Sequence, residues 1–562
     1  MAARVERAVL LRRAPEPEEE MGQRQSRVEQ TAVRLSSGRL LAWSSLAFRL
    51  HRCPLHRTIL LLLLLCPELP RGHNLKPSLP PIVTDRPFLV AWNAPTARCW
   101  TSYEVPLSVA SFSLLANVRE DFTGGNITIF YYDQLGLYPY YLNKTTPPVA
   151  INGGCPQNTS LLDHLDKMAS DIATAMPSAS FAGLSVIDWE NWRPQWIRNW
   201  DKKNVYRTMS TQLVRLRNPR WPDEQVELEA KWEFETAAAR FMAETLKLAQ
   251  LLRPGGWWGY YLFPECYNYH YWDDFENFTG GCPQVEVQRN NKLLWLWEQS
   301  KALYPSIYIE EVLKASPQGK KFVQAKLSEA LRVAQLPSVN HSLPVFAYAR
   351  PFYSYTLKEL TQAQLQDAIG SLVHLCCPLC PCPVENQLLF PALLLTHPLQ
   401  IHTDLVHTIG QAAAMGAHGI VLWGGVEYSR NRSNCVKIQK YMTGTLGPYI
   451  INVTTATKLC SQFVCNNHGR CLRRKMDLDS YLHLDASSFQ IQVDQATHGP
   501  RVSVKGALTT QQRDRMRQEF TCHCYQGWRG EHCNSRGHSN QLWAWDLCIP
   551  MMVMSAMWTW GM

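Results

Sequence analysis

From Leu75 to about Val453 the chain alternates short apolar runs of strand length with longer segments of helical period. The runs include Ile127-Thr-Ile-Phe-Tyr131, Leu184-Ser-Val-Ile187, Trp258-Gly-Tyr-Tyr-Leu262, Pro344-Val-Phe-Ala-Tyr348 and Gly419-Ile-Val-Leu-Trp423. Between them, Val226 to Leu252 carries Phe234, Ala238, Phe241, Thr245 and Leu248 at spacings of three and four, one face of an α-helix. Strands separated by helices pair in parallel, because a crossover helix returns the chain to the same end of the sheet. The pattern predicts an α/β fold, either a parallel barrel or an open sheet. In a barrel, the side chains that do chemistry sit at the C-terminal ends of strands.

One such end carries two carboxylates. In Gly183-Leu-Ser-Val-Ile-Asp188-Trp-Glu190-Asn-Trp192-Arg193-Pro194, Asp188 and Glu190 are two apart and emerge on the same side. Two carboxyl groups that close do not ionise together cheaply, so one is expected to hold its proton more tightly. Glycoside hydrolysis needs such a pair: an acid at the leaving oxygen and a second carboxyl near the sugar ring. Alone, Asp-x-Glu reads sooner as a strand end whose acids cap the next helix or pair with Arg193, and the surrounding sequence reverses that preference.

The 18 cysteines fit an oxidising compartment. Cys460-x4-Cys465-x5-Cys471 and Cys522-x-Cys524-x8-Cys533, with Gly527 and Gly530 in the last loop, form an EGF-like pattern over about 456–535. Six cysteines allow 15 pairings. Sequons stand at Asn126, Asn143, Asn158, Asn277, Asn340, Asn431 and Asn452, as in a glycoprotein. Thr58–Cys66 is an apolar run behind Arg52 and Arg57, too short to span a bilayer and similar to the core of a secretory signal within a leader, residues 1–71. The net charge of +9 is uneven: residues 1–57 hold 11 Arg, 6 Glu and no Lys, which is +5. The remaining +4 marks no nucleic-acid module.

The Val186–Pro194 segment resembles the hyaluronidases, animal and venom endo-β-N-acetylhexosaminidases. Further matching stretches are Phe88–Thr96, Ile127–Tyr131, Gly153–Asn158, Trp258–Asn268, Ala302–Tyr308 and Gly419–Gly424. The resemblance runs from about Leu75 to Cys533. It implies a distorted TIM-like (β/α) barrel over 75–453 with fewer than eight regular strands, followed by the small disulfide-rich module. It implies Cys99–Cys435, Cys266–Cys282, Cys460–Cys471, Cys465–Cys522 and Cys524–Cys533 as pairs, and leaves Cys155 and Cys548 without an assigned partner.

The implied activity is hydrolysis of the β-1,4 bonds of hyaluronan, with the substrate's acetamido group as nucleophile and net retention. Glu190 is the expected acid and base, and Asp188 orients the acetamido group. Tyr261 and Tyr308 match the site tyrosines, Trp423 the wall of the acetamido pocket, and Tyr131 a cleft residue. Arg193 reads as a partner tuning the carboxylates or as a structural ion pair. Arg350 follows a strand and is a candidate for uronate carboxylates. Glu265 stands where relatives usually have Asp. Tyr267 and Tyr308 favour hyaluronan over chondroitin. No metal or organic cofactor is implied. The alternatives are an inactive glycosaminoglycan-binding or receptor-type surface protein and a chondroitin-preferring hydrolase. The compartment is the secretory pathway, leading to the extracellular space, the cell surface or the lysosome.

Two segments depart from the family. About 363–402 is an insertion with Cys376-Cys377-Pro-Leu-Cys380-Pro-Cys382. It reads as a metal or thiol-exchange cluster or, the preferred reading, as a splice form or translated non-coding sequence. The tail at 540–562 is apolar but broken by Asp546 and Pro550; it reads as a GPI-attachment signal or an unrelated apolar tail.

Overall fold

The computed structural model describes residues 75–142, 147–354, 356–360, 403–494 and 499–537. The leader, the 363–402 insertion, the apolar tail and Asn143 lie outside the described residues.

The first strands are β1 (Leu89–Asn93), β2 (Leu115–Ala116) and β3 (Ile127–Tyr131). A hairpin of β4 (Tyr140–Leu142) and β5 (Val149–Ile151) precedes β6 (Leu184–Asp188), β7 (Trp257–Tyr260), β8 (Phe346–Ala349) and β9 (Gly419–Trp423). Hydrogen bonding orders them as two parallel ladders, β3-β6-β7 and β2-β1-β9-β8. Irregular backbone joins the ladders: Tyr304 bridges to Tyr261, while Leu303 and Ser306 bridge to Val345 and Tyr348. Side chains stitch the other seam. Asn117 Nδ2 donates to the Ile127 carbonyl at 2.7 Å, and Asn126 Nδ2 donates to the Ala116 carbonyl at 2.7 Å. The result is a distorted parallel barrel.

Two predicted strands shift by a residue or two, for local reasons. Pro344 has no N–H to give the ladder, and the strand starts at Phe346. Leu262 has φ of +76°, outside the β region, and β7 stops before it. Gly259 has no side chain because a Cβ there would lie 2.2 Å from the Ala302 carbonyl oxygen.

Alternation along each strand separates two apolar layers. Leu89, Ala91, Ile127, Ile129, Leu184, Val186, Phe346, Tyr348 and Val421 meet inside the barrel. Their neighbours Val90, Trp92, Ala347, Ile420 and Leu422 face one group of helices, and Phe130, Ile187, Trp258 and Tyr260 another. The long helix Asp223–Leu252 buries Phe234, Ala238, Phe241 and Thr245 against that second layer, and Leu248 is partly buried. Ser160 and Ser316 accept amide hydrogen bonds at the starts of helices Leu161–Ala175 and Pro317–Val333.

Helix Gly447–Val464 leads into the cysteine-rich module, built on β10 (Gly469–Arg473), β11 (Phe489–Asp494), β12 (Arg501–Gly506) and β13 (Phe520–Cys524). β10 pairs with β13, and β11 with β12, both antiparallel. Disulfides Cys460–Cys471, Cys465–Cys522 and Cys524–Cys533 lie in this module. Cys99–Cys435 joins segments 336 residues apart, and Cys266–Cys282 closes a loop after β7. Cys155 is the free cysteine among the described residues. Its buried sulfur lies 3.6 Å from Tyr141 Oη and 3.5 Å from Ser210 Oγ. Among the sequons, Asn158, Asn277, Asn340 and Asn431 are exposed; Asn126 and Asn452 are half-buried.

Candidate active site

The inward-facing positions at the C-terminal ends of the strands converge. Asp188 ends β6 on the parity of Leu184 and Val186, and therefore faces the barrel interior, half-buried. Trp189 turns the other way and is 4% exposed, stacked 4.7 Å from Tyr138. Glu190 returns to the mouth, its side chain 51% exposed. Tyr131 is Asp188's neighbour across the β3–β6 ladder.

Aromatic rings wall the space above the carboxylates. Trp423 Nε1 donates to Tyr131 Oη at 2.9 Å. The Trp423 ring stacks on Phe122 at 6.5 Å and on Tyr308 at 6.3 Å. Tyr261 lies 6.3 Å from Tyr308 and donates to Ser306 Oγ at 3.4 Å. Burial raises the Tyr131, Tyr261 and Tyr308 hydroxyls above the usual phenol range, and the negative charge of Asp188 adds to this at each. The three therefore stay neutral hydrogen-bonding groups throughout the working range of a hydrolase.

The two arginines stand behind the wall. Arg193 is 8% exposed; its Nη2 reaches Glu190 Oε2 at 3.4 Å and its Nη1 the Glu190 carbonyl at 3.2 Å. Arg193 Nε also lies 3.7 Å from Glu265 Oε2, so its contacts are compatible with both of its sequence readings. Arg350 is 7% exposed, pairs with Glu427 at 3.0 Å, and lies over the rings of Trp423 at 4.9 Å and Tyr308 at 5.8 Å.

Sequence reasoning missed several neighbours. Phe122 and Ser306 touch the site tyrosines from loops with no periodic signal. Arg198 binds Glu265 at 2.7 Å, and Lys203 sits near Glu190 with its ammonium pulled down to about 8 by burial and by Arg193. The signal that marks them is a cluster of basic residues, Arg193, Arg198 and Lys203, directly after the acid pair. Among the described residues, no group of His, Cys, Asp and Glu could hold a metal ion.

The family model described as Hyaluronidase matches residues 77–377 and 390–537, most of the chain. The chain belongs to the hyaluronidase family. Curated hyaluronidases agree: Hyaluronidase-4 of Cerastes cerastes is 43% identical over 453 residues, covering 81% of this chain and 91% of that protein. Hyaluronidase-2 of Rattus norvegicus is 40% identical over 482 residues, covering 85% and 93%. The solved bee venom hyaluronidase in complex with a hyaluronic acid tetramer is 29% identical. It covers 65% of this chain and 98% of its own, with a TM-score of 0.53. This hyaluronidase is thus a glycoside hydrolase on a TIM-like barrel. The break in the family match, 378–389, falls inside the 363–402 insertion.

Proposed function

We propose that this hyaluronidase cleaves the β-1,4 bonds of hyaluronan with Glu190 as acid and base and Asp188 as the group that orients the substrate's own nucleophile. The observation that supports this reading is Asp188 at the inward-facing end of β6, with Glu190 two residues beyond the strand and Tyr131, Tyr261 and Tyr308 near them. Glu190 gives its proton to the glycosidic oxygen as the bond to the anomeric carbon breaks. The acetamido oxygen of the same sugar forms a bond to that carbon, giving a cyclic oxazolinium cation. Asp188 accepts the acetamido N–H and stabilises the positive charge. Water then attacks the anomeric carbon, its proton passes to Glu190, and the configuration is retained after two inversions.

The neutral tyrosines hydrogen-bond the acetamido group and the developing charge, and Trp423 closes the apolar side of its methyl. Substitution Glu190→Gln tests the reading. Turnover, read as new reducing ends, is expected to fall by about 1,000-fold, with hyaluronan binding and melting temperature near wild type. Turnover near wild type would overturn it. Chondroitin differs from hyaluronan at the hexosamine, and the retained Tyr267 and Tyr308 support hyaluronan as the better substrate. The oxidised cysteines support passage through the secretory pathway to the cell exterior. Among the described residues, no helix is long and apolar enough to cross a membrane.

A further inference from the structure

Behind Glu190 lies a chain of ion pairs that the reaction scheme does not use. One oxygen of Glu265, Oε2, stands 3.7 Å from Arg193 Nε and 2.7 Å from Arg198 Nη2. Arg193 reaches on to Glu190, and Arg198 to Glu286 at 3.4 Å. The backbone around Glu265 is held on both sides. Asn290 Nδ2 donates to the Glu265 carbonyl at 2.9 Å, and Lys326 Nζ to the Cys266 carbonyl at 2.8 Å. The arginine side chains are 10% exposed and that of Glu265 17%, so these charges are little screened by water.

We propose that Glu265 is a positioning residue for catalysis: by dividing its charge between Arg193 and Arg198, it sets how strongly Arg193 holds Glu190 in the ionised form. This rests on Glu190 being the acid. A free Arg193 would favour Glu190 as carboxylate, the wrong state for donating a proton. Glu265 takes up part of that cation. Arg198 limits how much, because it competes for the same oxygen. Burial raises the Glu265 carboxyl, but Arg198 and Arg193 outweigh it and hold it at about 2, so Glu265 stays charged wherever the enzyme works. Glu190 faces Arg193 and Lys203 from its own loop, Asp188 from β6, Tyr131 from β3 and Tyr261 from the end of β7. Glu265 also faces Lys326 from helix Pro317–Val333.

The two halves of the relay predict opposite signs. Glu265→Gln removes the anion, leaves Arg193 to face Glu190 alone, and moves the alkaline limb of the kcat profile to lower pH by about 0.5 unit or more. Arg198→Gln removes a cation, leans Glu265 wholly on Arg193, and moves the same limb upward. Glu265→Asp keeps the charge and restores the wild-type limb. A purely structural role would change melting temperature in both variants without moving the limbs apart. If Glu265→Gln fails to fold, Arg198→Gln read against Glu265→Asp still decides. Unmoved limbs, or limbs moving in the same direction, would overturn the relay. Glu190→Gln, assayed alongside, separates this from the parent reading: full turnover there would remove the acid itself, whereas a dead Glu190→Gln with unmoved limbs would remove only the relay.

Discussion

The two ends of the barrel both bury polar side chains, and they use them in opposite ways. At the C-terminal rim, Asp188, Glu190, Tyr131, Tyr261 and Trp423 converge on an open mouth where Glu190 remains half exposed. At the other end, the chain's first described segment is clamped between the barrel and the cysteine-rich module. Arg470, 2% exposed, donates to Ser78 Oγ at 2.9 Å and to the carbonyls of Pro87 at 2.7 Å and Leu79 at 3.2 Å. Ser78 also meets His418 Nε2 at 3.2 Å, and the ladder of the module continues onto it through Tyr525. His523 Nε2 lies 2.7 Å from the Lys76 carbonyl. The lower end pairs Arg470, Ser78, His418 and His523 with the protein's own backbone and with one another, which contributes to stability. The rim keeps groups aimed at a place where substrate will stand. Burial of polar groups therefore signals function only where the hydrogen-bonding partners converge on open space.

Substitutions at the two ends should separate cleanly. The largest expected effect is Asp188→Asn, which should lower kcat by about 1,000-fold while leaving the urea midpoint close to wild type; a normal kcat would place the acetamido-orienting role elsewhere. Arg470→Met should do the reverse. It removes the donor shared by Ser78 Oγ and the Pro87 and Leu79 carbonyls in a buried seam and is expected to cost on the order of 3 kcal/mol of stability, with kcat of the folded protein unchanged. Loss of activity in folded Arg470→Met would join the two ends and break the comparison.

Acid should act on the lower end. Burial, with Arg470 beside it and against the Lys76 hydrogen bond, holds His523 down at about 4, and burial first, then Arg470, holds His418 well below its usual value. A histidine depressed in the folded state contributes stability above its unfolded pKa of about 6.5 and loses it as pH falls toward the folded value. Between pH 7 and pH 4.5, His523 should account for a loss of about 2–3 kcal/mol in unfolding free energy. His523→Gln should flatten that slope by one proton, and an unchanged slope would refute the assignment. The smallest expected effect is Tyr308→Phe, about tenfold in kcat, because one hydroxyl is removed from a wall that keeps Tyr131 and Tyr261.

Much of the site is legible in the amino-acid sequence. Period two places Asp188 on the inner face of β6, and the strand-end positions Tyr131 and Trp423 fall on the same inner parity in β3 and β9, while Glu190 lies beyond the strand's end. The relay through Glu265 is not legible there. Its members, Arg193, Arg198, Glu265 and Glu286, come from loops and a short helix without period, and only a surrounding fold brings one carboxylate oxygen between two guanidinium groups. The Asn117 and Asn126 seam is equally silent, because side chains replace a backbone ladder there.

The chain's own pattern determined the parallel α/β order, the faces of its strands and helices, and the acid pair at a strand end. Those follow from backbone geometry, which repeats every two or 3.6 residues wherever the chain goes. Only the tertiary structure decided which loops meet behind Glu190, and how the chain's first described segment locks beneath the barrel. Those contacts join residues up to several hundred positions apart, and no local periodicity encodes the distance between them.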